Sequence, residues 1–167
     1  MTTDTKQVLA TYTRNFIFGA EDSLVSTVGL LSGIAAAGVE RSTIITTGMV
    51  LVVVEALSMA GGSFLSEYST NEYMAGEKPG TRVSITAASI MFGAYFMSGL
   101  VPLLPYVFYE SEQAFGASII FSLTALFLLG VFSARFLRIR ILSSGLRMFI
   151  IGGAAITAGV LVGQLIN

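Results

Sequence analysis

The chain has 167 residues, a net charge of -1, 54% hydrophobic residues and only 11% charged ones. A soluble domain carries about 25% charged residues, so the composition places the chain in the membrane class and leaves no global basic surface for nucleic acid. It has neither Cys nor His, which excludes disulfides, thiolate clusters and the commonest transition-metal ligand.

The N-terminus, MTTDTKQ, is polar and lacks the apolar core and cleavage site of a signal peptide. Residues 1–15 read as a cytoplasmic or interfacial arm in which Lys6, Tyr12 and Arg14 suit the membrane surface. A hydrocarbon core of ~30 Å needs ~20 apolar residues in a helix. Five stretches within 16–167 qualify, at about 16–38, 44–66, 84–104, 113–134 and 147–166. The expected fold is an all-α membrane protein of five transmembrane helices.

The first span holds Glu21 and Asp22, and the second holds Glu55. A carboxylate at a helix centre in hydrocarbon costs roughly 2.5–3.5 kcal/mol on insertion scales and is a functional-site hypothesis by default. A polar and small stripe runs Asn15, Asp22, Ser26, Gly29, Gly33 along one face of the first span, and a matching one runs Glu55, Met59, Gly62, Ser66 along the second. A packing seam accounts for the glycines and serines; it does not account for Asp22 or Glu55. Counted from Phe16, Asp22 lies ~9 Å deep, and Met59 lies ~10 Å deep counted from Ser66. Sequence therefore puts those two at matching depth, with Glu55 a turn further in.

Residues 67–83 are the longest polar connection. Glu67 continues the second helix past the membrane, Pro79–Gly80 breaks the chain, and Glu67, Glu72 and Glu77 form either a solvated linker or an entry funnel for cations. The third span ends at Pro102 and Pro105, followed by Tyr106 and Tyr109 as an interfacial belt. The fourth is uniformly apolar and ends in ARFLRIR; the fifth opens at Gly145–Arg147. Lys6, Arg14, Lys78, Arg82, Arg135, Arg138, Arg140 and Arg147 fall on one side and only Arg41 on the other. The bias predicts a cytoplasmic N-terminus and an outer or luminal C-terminus. No phosphate loop or nucleophile–base pair is present, so the chain is not read as an enzyme and no cofactor is expected.

Four motifs resemble the vacuolar iron transporter family in order along the chain. FGAEDSLVST resembles the family's G-x-x-D-G-L-V-S, and EALSMAGGSFLSEYS its A-L-S-M-A-x-G-E-Y-x-S. LVPLLPY and GLRMFIIGG match elements that end its third helix and open its fifth. The resemblance implies a homodimeric exporter of Fe2+, often also Mn2+, that moves the ion out of the cytosol in exchange for protons. Its ion path lies at the dimer interface, and its Asp and Met fall on Asp22 and Met59. The family's Gly after the Asp is Ser23 here, and its second-helix Glu falls on Ser63, with Glu67 one turn on as a substitute. The family's helical metal-binding domain between helices two and three has no room in 67–83.

The pathway residues are thus Asp22, Met59 and Glu55, with Glu21, Ser26, Ser63, Glu67 and Glu72 as secondary candidates. Carboxylate oxygen with thioether sulfur favours later first-row divalent ions over Mg2+ or Ca2+, and one oxygen can take either a proton or a metal. The partners expected are lipid, the metal ion and a second copy of the chain. Gly29, Gly33, Gly61 and Gly62 would let the two copies approach. The location would be the cell membrane in a prokaryote and the vacuolar membrane in a eukaryote. The alternatives are a small proton-coupled exporter of organic cations, which would want aromatic residues around Glu55, and a non-transporting membrane subunit, which would leave Asp22 and Glu55 without purpose.

Overall fold

The computed structural model describes residues 3–75, 81–137 and 140–166. Five helices follow one another: α1 (Thr3–Ala36), α2 (Arg41–Ala75), α3 (Arg82–Phe108), α4 (Ser111–Leu137) and α5 (Ile141–Ile166). Each contains a window long and apolar enough to cross a membrane. The chain is a multi-pass membrane protein. The α1–α2 turn is closed by Gly38, whose φ of 71° is a left-handed value that favours glycine.

α1 is 34 residues long, ~51 Å at the helical rise. The N-terminal arm and the first span are therefore one continuous helix over the described residues. α2 likewise continues to Ala75, well past Ser66, and carries Glu67 and Glu72 on its extension. Glu77 and Pro79–Gly80 lie outside the described residues. With α2 ending at Ala75 and α3 opening at Arg82, no domain fits between them.

α1 is the centre of the bundle, packed most heavily on α3 and α5, while α2 leans on α3 and touches α1 more lightly. The α1–α5 crossing is a glycine seam. A Cβ on Gly33 would lie 2.8 Å from the carbonyl oxygen of Gly159, and a Cβ on Gly159 or Gly163 would run into the carbonyls of Gly29 and Gly33. This corrects the expectation that Gly29 and Gly33 mediate contact between two copies: α5 of the same chain occupies them. Gly61 and Gly62 have open space instead.

The third helix does not end at its prolines. α3 runs through Pro102 and Pro105 to Phe108. Pro removes a backbone donor and crowds the preceding turn, and neighbouring side chains bind carbonyls around this stretch. Ser118 Oγ donates to the Pro102 carbonyl at 2.7 Å. Arg41 donates from Nε to the Tyr106 carbonyl at 2.6 Å and from Nη2 to that of Val107 at 2.8 Å. The lone basic residue on its side of the chain is thus spent on the C-terminus of a helix, where terminal carbonyls otherwise lack partners.

Candidate ion site

α1 and α2 run antiparallel, and one level of polar contacts ties them together. At this level Arg14 pairs with Glu67, and Ser63 Oγ donates to Asn15 Oδ1 at 2.6 Å. Asn15 is buried and its amide nitrogen donates to the Thr11 carbonyl. One turn deeper, Phe18 and Met59 line the same cavity. A further turn along each helix lie Asp22 on α1 and Glu55 on α2. Each step of about one turn down α1 is matched by a step up α2.

The Asn15–Ser63 bond gives a different count of depth from the one made on the spans. Counted from the Asn15–Ser63 bond, Asp22 falls near the level of Glu55, and Met59 lies a turn nearer the N-terminal end of α1. The count from Phe16 and Ser66 takes Asp22 and Met59 as level, whereas the count from this bond does not.

The cavity holding Met59 measures about 660 Å³ and lies between α1, α2 and α3. Arg14 and Asn15 stand at its rim, and Met91 of α3 joins its wall. Beneath it sits a second constellation. Tyr95 of α3 is 1% exposed, and its hydroxyl lies 2.8 Å from Ser26 Oγ. A buried phenol needs a hydrogen-bond partner, and Ser26 supplies it. Ser26 is therefore the partner of a buried phenol as well as a small residue.

Ser23, where a glycine would match the resembled motif, is fully buried and donates to the Tyr95 carbonyl at 2.6 Å. Room for its hydroxyl comes from Gly99, where a Cβ would stand 2.7 Å from Ser23 Oγ and 2.7 Å from a Val52 methyl. The extra polar atom on α1 is matched by a missing carbon on α3.

The other candidates separate from this cluster. Glu67 is 9% exposed and engaged by Arg14, so its carboxylate is already matched by a cation. Ser63 anchors Asn15. Glu21, half-buried, opens onto a different groove of about 520 Å³ with Lys6, Phe18, Phe136 and Leu137. Glu72 is exposed on the α2 extension. Among the described residues no three acidic side chains converge as a metal cage; carboxylates enter here as a pair, with sulfur above them.

Two residues of this site, Tyr95 and Met91, were missed in the sequence. Tyr95 carried a signal, since a tyrosine in the middle of an apolar span must find a partner for its hydroxyl. Met91 carried none, because only the α1–α3 packing brings it to Met59.

The VIT family model matches residues 13–87 and 76–164. The chain is 31% identical over 165 residues to vacuolar iron transporter homolog 3 of Arabidopsis thaliana, covering 90% of this chain and 82% of that protein. It is 25% identical over 205 residues to vacuolar iron transporter 1 of Tulipa gesneriana, with 87% and 83% covered. A shorter match, 36% over 83 residues, joins it to vacuolar iron transporter 2 of Oryza sativa subsp. japonica and spans 34% of that protein.

Proposed function

The chain belongs to the VIT family, and from that membership we propose that it carries Fe2+, and Mn2+ beside it, out of the cytosol in exchange for protons. It is a membrane transporter of metal ions and not an enzyme. The observation that carries the reading is the presence of Asp22 on α1 and Glu55 on α2 inside the spans, a turn beyond the cavity that Met59 lines, on two helices tied together by the Asn15–Ser63 bond. Two carboxylates close together in hydrocarbon repel when both are charged and settle when they share a proton or a divalent cation. Either occupant satisfies the same need, which is the minimum for exchange. The Tyr95 hydroxyl, held by Ser26, offers a donor or acceptor to whichever state is present.

We also propose a two-fold dimer with its axis along the membrane normal. α2 supports this, since its outer face is bare: Val54, Leu57, Gly61, Gly62 and Leu65 are all exposed. A glycine pair with open space beside it is a site where another helix backbone can approach closely. A second α2 on this face would wall in the Asp22–Glu55 level from lipid. The N-terminus is cytoplasmic, from the basic bias, so the Met59 cavity opens toward the cytosol and the Asp22–Glu55 pair lies deeper.

Reconstitution into liposomes with a metal dye inside and a pH dye outside tests the exchange. Entry of Fe2+ or Mn2+ together with proton exit is the expected result. Metal movement indifferent to an imposed pH gradient would remove the exchange, and movement of lipophilic organic cations in place of metal would remove the cargo.

A further inference from the structure

We propose that Met91 is a second thioether ligand on the ion's route and that Met59 and Met91 together set the preference for soft divalent ions; the proposal rests on the transport reading above.

The two methionines come from different helices and line one cavity, which Asn15, Ser58 and Ser63 furnish with oxygen. Methionine most often fills gaps in dense cores. Met91 is 4% exposed and part of the buried core, yet it also lines a cavity of about 660 Å³. Its sulfur is placed by Gly19: a Cβ on that residue would lie 2.8 Å from Met91 Sδ. The glycine leaves a notch in α1, a turn above Asp22, and the thioether occupies it.

A single neutral sulfur does little for a dication leaving water. Two sulfurs, with the amide and hydroxyl oxygens beside them, replace part of a hydration shell while adding no charge. Fe2+, Co2+ and Cd2+ gain from such ligands, whereas Mg2+ and Ca2+ do not. Positive charge at the rim is held back, because Glu67 engages the Arg14 guanidinium. The next ligands down are Asp22 and Glu55, so the thioether level selects and the carboxylate level exchanges.

The test loads the purified full chain with Cd2+ and counts sulfur neighbours by X-ray absorption. Competitive Cd2+ and Mn2+ flux is measured in liposomes with the same protein. The wild type is expected to show two sulfur neighbours, Met59→Leu and Met91→Leu one each, and the double variant none. Met91→Leu should lower the Cd2+ to Mn2+ flux ratio several-fold. If Met91→Leu does not fold, Gly19→Ala serves instead: its new methyl displaces the sulfur and should lower the same ratio. A Met91→Leu protein with the wild-type sulfur shell and ratio overturns the proposal and leaves the role of Met59 standing. A wild type with no sulfur neighbour but intact proton-coupled Mn2+ flux overturns the thioether level and leaves the exchange at Asp22 standing.

Discussion

At the scale of single residues the account turns on which side chains a neighbour can replace. Met59→Leu keeps volume and apolarity, so the fold should survive at a cost below about 1.5 kcal/mol, while flux of soft ions weakens; parallel melting and flux measurements check both. Ser23 and Gly99 are matched, since Ser23 Oγ and Val52 already occupy the space where a Cβ on Gly99 would stand. Gly99→Ala should therefore destabilise by about 1–3 kcal/mol, the usual cost of overpacking. Ser23→Gly in the same chain should recover part of that loss, because it removes one of the two obstacles. Thermal unfolding in detergent of both single variants and the double variant reads the difference, and additive losses would show the two positions to be independent.

At the scale of elements, α1 shows what a single helix face hides. Asn15, Asp22, Ser26, Gly29 and Gly33 share one stripe by spacing, and sequence reads them as one surface. In the bundle α2 takes Asn15, α3 takes Ser26, and α5 crosses to take Gly29 and Gly33. Helical periodicity fixes which residues share a face but not how many neighbours that face meets, so the five spans and the odd carboxylates were legible while the partners were not. The α1–α2 register depended on a bond between Asn15 and Ser63 that hydropathy cannot see. Tyr95 and Met91 depended on the α1–α3 register in the same way. The seam carries its own prediction: Gly159→Ala places a methyl against a backbone carbonyl that cannot move aside, whereas Gly61→Ala meets nothing. The first should lower the melting temperature clearly and the second should leave the isolated protomer unchanged; equal melting of the two would contradict the crossing described here.

At the scale of the whole molecule, the bundle is lopsided. α1 is enclosed and α2 is bare on its outer side, an arrangement that leaves the carboxylate level open to lipid unless a second copy covers it. The chain has no cysteine, so Leu57→Cys is a single reporter on that face. In membranes it should form a disulfide-linked dimer, and Leu128→Cys on the exposed side of α4 should not; the reverse pattern would move the interface. Reporter fusions at Thr3 and Ile166 should report opposite sides, with the N-terminal one cytoplasmic.

The central claim is that one carboxylate level binds either a proton or a metal. Asp22→Asn keeps the shape of that side chain and leaves Glu55 without its charged neighbour. The most direct measurement is metal entry and proton exit recorded together in liposomes bearing wild type or Asp22→Asn, across several imposed pH gradients. The account predicts that wild-type metal entry follows the gradient with matching proton exit, and that Asp22→Asn loses both together. Wild-type rates of both in Asp22→Asn would contradict it.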